Sequence, residues 1–168
     1  MQLYVNFIDK INKVLKFVVS SMFIVLVALV FLQVVTRFVI NYPLSWSEEI
    51  ARYIMVYLVF LGSAVAVRKG EHIAIDFLVE IVSAKNKKRL MMLILSISSI
   101  FFAVLCYNGI LLTALVAGEA TPTLQFSMSW AYAAMPIGSL LMLLNAIAVL
   151  IEIKNRPVEE IPTGGDIL

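Results

Sequence analysis

Long uncharged apolar runs alternate with short charged stretches along the whole chain, and the runs are of membrane-spanning length. Crossing a hydrocarbon layer ~30 Å thick takes about 20 helical residues at roughly 1.5 Å each. Residues 17–36, 53–67, 90–118 and 120–151 contain no Asp, Glu, Lys or Arg. The second run reaches spanning length only when 46–52 supply its first turns, and the last two are separated by Glu119 and a Thr121-Pro122-Thr123 turn that belongs outside the apolar layer. The pattern predicts an all-α membrane protein with four transmembrane helices over about 17–36, 48–67, 90–116 and 129–151.

Two shorter segments are amphipathic and predict interfacial helices. Over 1–16, Leu3, Phe7, Ile11 and Val14 form an apolar stripe widened by Tyr4, Ile8 and Leu15, with Asn6, Asp9, Lys10, Asn12, Lys13 and Lys16 opposite. Over 72–83, His72, Asp76 and Glu80 recur every four residues beside an apolar face of Ile73, Phe77, Leu78, Ile81 and Val82. Residues 157–168 carry two prolines and two glycines and read as a flexible tail. One membrane domain over 1–156 is the expected organisation. Sixteen mixed residues precede the first apolar run and no small-residue cleavage site follows it, so that run is expected to be retained as a span and not removed as a signal peptide.

Composition agrees with the membrane reading and narrows the chemistry. Of the residues, 62% are hydrophobic and 14% charged, against roughly 45–50% and about 25% in soluble domains. A water-soluble fold could not cover that much apolar surface with so few charges. The net charge of +2 is too small to imply a nucleic-acid partner. The lone Cys106 and lone His72 exclude an internal disulfide and a cysteine-based zinc site, and a haem with two histidine ligands is disfavoured. Of the thirteen lysines and arginines, only Arg37 and Arg52 fall between spans one and two, and none falls between spans three and four. Basic residues near span ends stay on the cytoplasmic side, so both termini are expected there.

The polar stretch Pro43-Leu44-Ser45-Trp46-Ser47-Glu48-Glu49-Ile50-Ala51-Arg52 marks a helix start. Ser45 and Glu48 have the spacing of a capping box, Glu48 and Glu49 suit the positive end of the helix dipole, and Arg52 follows Glu48 by four. Trp46 suits the membrane boundary. The stretch reads either as a well-capped helix end or as a charged docking edge whose ionisable groups pair with a partner. His72, Asp76 and Glu80 could offer nitrogen and oxygen ligands, but one histidine in a row of that kind reads better as a solvated polar stripe. Within the spans the polar residues are Gln33, Thr36, Asn108, Thr113, Asn145 and scattered serines, with no ionisable group at mid-membrane. Ion-coupled carriers and small exporters usually need one there. Small residues at Gly62 and Ala66, and at Ala134 and Gly138, have the spacing of close helix packing, either within the chain or against another protein. Pro136 removes a backbone hydrogen bond early in the fourth span and is expected to bend it.

Taken together, Trp46-x-Glu48-Glu49-x-x-Arg52-Tyr53, Phe60-Leu61-Gly62-Ser63-Ala64, Arg68-Lys69-Gly70-Glu71-His72-Ile73-x-x-Asp76 and the late segment Trp130-Ala131-Tyr132-Ala133-Ala134-Met135-Pro136-Ile137-Gly138 closely resemble the small membrane subunit (DctQ type) of TRAP transporters, the tripartite ATP-independent periplasmic transporters of bacteria. The resemblance implies a bacterial inner-membrane protein, not an enzyme, that carries no cofactor of its own. It implies a stable complex with a large membrane subunit, where the sodium coupling resides, a transient one with a periplasmic substrate-binding protein, and contact with membrane lipids. The small subunit would enlarge the scaffold of the elevator-type large subunit, and the organic acid, of the C4-dicarboxylate or sialic acid class, would be set by the binding protein. Trp46, Glu48, Glu49, Arg52, Gly62, Arg68, Gly70, His72, Asp76, Trp130 and Pro136 are the motif positions. Glu48, Glu49 and Arg52 are expected to order the periplasmic end and its partner contacts, and Arg68 and His72 to anchor the cytoplasmic turn near lipid headgroups. The competing readings are a stand-alone homo-oligomeric exporter and a structural membrane organiser.

Overall fold

The computed structural model describes residues 2–70 and 84–155. The expected amphipathic segment over 72–83, with His72 and Asp76, and the expected tail over 157–168 lie outside the described residues. Among those described, four helical segments are long and apolar enough to cross a membrane, and no strand forms apart from one isolated bridge between Ala120 and Ser127.

The first helix, α1 (Gln2–Phe38), runs 37 residues without interruption, about 55 Å at 1.5 Å per residue. The amphipathic stretch and the span expected as separate elements are therefore one helix. Neither glycine nor proline occurs before Pro43, so nothing in the chain breaks the backbone ladder at residue 16. The helix ends where Asn41 adopts a left-handed conformation (φ 55°) and the Tyr42 amide returns to the Thr36 carbonyl, just ahead of Pro43.

Helix α2 (Ser45–Lys69) begins without the expected capping box. Leu44 is the N-cap and no side chain caps the helix; Ser45 already lies within the first turn, and the Ser47 hydroxyl donates back to the Leu44 carbonyl at 2.9 Å. Starting there turns Ser47, Glu49 and Ala51 inward. At the other end Gly70 takes a left-handed conformation (φ 70°) and its amide caps the Val67 carbonyl, a geometry that favours glycine.

Helix α3 (Ala84–Leu115) passes through a 3₁₀ turn (Val116–Gly118) into the loop that precedes the fourth span. That span is divided into α4 (Ser129–Tyr132) and α5 (Ala134–Asn155). The interruption at Ala133 lies three residues before Pro136, which has no amide hydrogen to offer the Tyr132 carbonyl and whose ring crowds it. The bend expected from Pro136 thus appears as a break between two helical pieces.

The helices pack mainly as a row, α1 on α2, α2 on α5 and α5 on α3, with only slight contact between α1 and α5. Leu15 of α1, Leu61, Ala64 and Val67 of α2, Met142, Ala146 and Ile153 of α5, and Leu95 and Phe102 of α3 form the core. A Cβ added at Gly138 would lie 2.5 Å from Cβ of Phe60, so this glycine permits a close approach of α5 to α2. Gly62 has nothing within 4 Å of its would-be Cβ, so its small size is not used inside the chain. A row leaves much apolar side-chain surface uncovered, as a lipid environment or a membrane partner allows.

Candidate functional site

Polar side chains gather at two places, one near each end of α2. The first is built from α2 and the loop before α4. Glu49 is 5% exposed. Its Oε2 accepts the backbone amides of Thr123 (2.7 Å) and Leu124 (3.2 Å), and its Oε1 accepts the Tyr53 hydroxyl (2.9 Å). One turn further, the Tyr57 hydroxyl donates to the Trp130 carbonyl at 2.7 Å. Glu49, Tyr53 and Tyr57 recur every four residues, so they form one stripe of α2 that fastens the loop and the short helix α4.

The loop is itself heavily bonded. Thr121, buried, gives its amide to the Phe126 carbonyl at 2.7 Å, while its hydroxyl accepts the Phe126 amide at 3.2 Å. Gln125, left-handed at φ 57°, returns its side-chain amide to the Thr121 and Pro122 carbonyls. The Met128 amide closes onto the Glu119 carbonyl, and the Ser127 and Ser129 hydroxyls donate to Ala117 and Thr113. The result is a compact knot whose backbone donors converge on one carboxylate.

Of the three ionisable groups expected to act together here, only Glu49 turns inward. Glu48 and Arg52 are exposed and form no ion pair with each other. Trp46, Phe126 and Trp130 present exposed rings at the same end, where amphipathic aromatics suit a membrane boundary.

At the opposite end Arg68 holds three helices together. Its Nη1 and Nη2 donate to the two carboxylate oxygens of Glu152 at 2.8 and 2.7 Å, and its Nε donates to Oδ1 of Asp9 at 2.8 Å. The Arg68 side chain is only 13% exposed and that of Glu152 27%, whereas Asp9 is 51% exposed. Both edges of the Arg68 guanidinium are thus taken by carboxylates from α1 and α5. Bidentate pairing of this kind fixes geometry as well as charge.

Deeper in the row lies an amide pair. Asn12 Nδ2 donates to Asn145 Oδ1 at 2.7 Å, Asn145 Nδ2 donates to Asn12 Oδ1 at 3.1 Å, and both nitrogens also reach backbone carbonyls, of Ile8 and Ala64 respectively. The Tyr4 hydroxyl donates to the Leu144 carbonyl at 3.0 Å. Tyr4 and Asn12, eight residues apart on α1, thus meet adjacent residues of α5. Asn12, placed on the polar side in the sequence reading, is among the most buried polar residues, while Leu3, Phe7 and Val14 of the expected apolar stripe are exposed.

Neither cluster resembles a catalytic arrangement, and among the described residues no three His, Cys, Asp or Glu side chains gather as a metal site. Asp9, Asn12 and Glu152 were missed as site residues by sequence reasoning. Their signal was faint: Asp9 and Glu152 flank apolar runs as any charged residue would, and Asn12 sits among other polar residues.

The chain matches the family described as "Tripartite ATP-independent periplasmic transporters, DctQ component" over residues 26–155. It is 32% identical over 143 residues to the sialic acid TRAP transporter permease protein SiaT of Haemophilus influenzae (strain 86-028NP), covering 82% of this chain and 22% of that longer protein. It is 27% identical over 146 residues to the sialic acid TRAP transporter small permease protein SiaQ of Vibrio cholerae, covering 82% and 79%. With the C4-dicarboxylate TRAP transporter small permease protein DctQ of Rhodobacter capsulatus it shares 29% identity over 108 residues, 63% of this chain and 48% of that one.

Proposed function

Because the chain belongs to the DctQ family of tripartite ATP-independent periplasmic transporters, we propose that it is the small membrane subunit of a sodium-coupled transporter that takes up an organic acid across the bacterial inner membrane. Its working partners are a large elevator-type membrane subunit, which carries substrate and sodium, and a periplasmic binding protein, which captures the acid. The relatives point to two substrate classes, sialic acid and C4-dicarboxylates, and the binding protein selects between them.

The observation that supports this reading most is the division of labour inside the chain. Glu49, Arg68, Asn12 and Asn145 are engaged in tying helices and a loop together, and no ionisable residue lies at mid-membrane to bind a coupling ion or an acid. Such a chain supplies a rigid wall. It enlarges the scaffold against which the large subunit's moving part slides.

The distribution of lysines and arginines supports an orientation with the Arg68 cluster and both termini on the cytoplasmic side and the Glu49 loop on the periplasmic side. On that orientation the Glu49 knot offers the binding protein a preformed surface, which lowers the ordering cost of docking.

The test is to tag the chain, extract its native membrane in mild detergent and identify what co-purifies. A large multi-span protein at stoichiometric level, with loss of organic-acid uptake on deletion of this chain, is the expected result. A homo-oligomer of this chain alone would overturn the reading.

A further inference from the structure

Helix α3 is an edge of the row, with α5 as its main neighbour, and its outer face carries two polar side chains that membrane lipid cannot satisfy. The span that includes α3 extends over Lys88–Gly118. Asn108 and Tyr107 therefore lie about 6–8 Å from its midpoint at 1.5 Å per residue, well inside a half-layer of ~15 Å. Both are exposed. Asn108 Nδ2 bonds only backwards to the Val104 carbonyl of its own helix, at 2.8 Å. Among the described residues its carbonyl oxygen and the Tyr107 hydroxyl have no partner. An amide held in hydrocarbon without a partner is costly, and tyrosine at that depth is out of its usual boundary position.

The side chains around Asn108 limit what can cover it. Ile97, Phe101, Val104, Leu111 and Leu115 flank it on the same face, all exposed and all bulky. Two copies of such a face pack poorly, because close pairing of identical membrane helices relies on small residues at the seam. A bulky face is matched by a helix that brings its own small residues, and the large subunit of the proposed function is the membrane partner which that reading supplies.

Resting on the proposed function, we infer that the Asn108 face of α3 is the membrane-embedded contact with the large subunit. That subunit supplies a helix with small residues and a hydrogen-bonding group facing Asn108. The Glu49 and Arg68 clusters then keep α3 and its neighbours rigid behind the contact.

The test uses the complex co-expressed with its large subunit. A photo-crosslinking amino acid is placed at Val104 or Leu111 on α3, and at Ile24 on α1 for comparison. Adducts to the large subunit from the α3 positions are expected. With Asn108→Leu, dissociation of the complex in detergent should rise roughly 3- to 15-fold, while the isolated chain unfolds as before. If the large subunit co-purifies but the α3 positions capture only lipid or a second copy of this chain, the assigned face is wrong and the subunit reading stands. If no large subunit co-purifies at all, both fall. Unchanged dissociation with Asn108→Leu would remove the hydrogen bond from the account and overturn the inference in that form.

Discussion

The carboxylate of Glu49 and the backbone amide of Thr123 are 74 residues apart in the chain and 2.7 Å apart in space. Through this contact the N-terminal part of α2 organises the loop between α3 and α4. Glu49→Ala leaves two amides and the Tyr53 hydroxyl without their acceptor and is expected to loosen the loop. Glu49→Gln still presents a carbonyl oxygen to the amides and is expected to keep most of the order. Amide hydrogen exchange at Thr123 and Leu124 is the readout: fast in the alanine variant, near wild type in the glutamine variant. Unchanged protection in Glu49→Ala would mean that the loop orders itself.

The Arg68 cluster predicts an order of effects set by burial. Arg68→Ala strands the half-buried carboxylate of Glu152 and is expected to cost about 3 kcal/mol. Arg68→Lys falls between, since an ammonium cannot bond both Glu152 oxygens in the same fork. Asp9→Asn should cost under about 1 kcal/mol, because Asp9 is 51% exposed and water already screens it. Thermal unfolding of the purified proteins in one detergent ranks the three.

The amide pair across α1 and α5 is suited to a double-mutant cycle. Asn12→Leu and Asn145→Leu each leave a buried amide without its partner, and Asn145→Leu also frees the Ala64 carbonyl. The double variant removes both amides, so its loss should be smaller than the sum by roughly 0.5–1.7 kcal/mol. Strict additivity would show that the two asparagines do not act together.

Two glycines in the motif region should respond in opposite ways. Gly138→Ala drives a methyl against Phe60 and forces α2 and α5 apart, at about 1–3 kcal/mol. Gly62→Ala enters open space and is expected to stay within about 0.5 kcal/mol in the isolated chain. If it weakens only the complex with the large subunit, Gly62 serves a partner and not this fold.

The spans were legible in the sequence because uncharged length is a direct measure of what fits a hydrocarbon layer. Which side of each helix faces protein was less so. Lipid tails are as apolar as a core, so Leu3, Phe7 and Val14, which are exposed, carry the same signal as Ile8 and Leu15, which are buried. Asn12 was hidden for the converse reason: one buried amide among surface amides and lysines has no distinguishing neighbours until Asn145 is opposite it. Glu48 and Glu49 are adjacent and chemically alike, and only the approach of Thr123 from 74 residues away separates them. The capping box failed on the same point, since a helix that starts one residue earlier keeps the spacing and loses the bond. Arg68 was legible as important, but its partners come from two other helices and no local pattern names them.

The central claim is that this chain is a scaffold that carries nothing by itself, and reconstitution tests it most directly. Proteoliposomes containing this chain, the large subunit, or both are given the binding protein, a sodium gradient and labelled organic acid. Uptake only when both membrane subunits are present is the predicted result. Uptake by this chain alone, or undiminished uptake in its absence, would contradict the account.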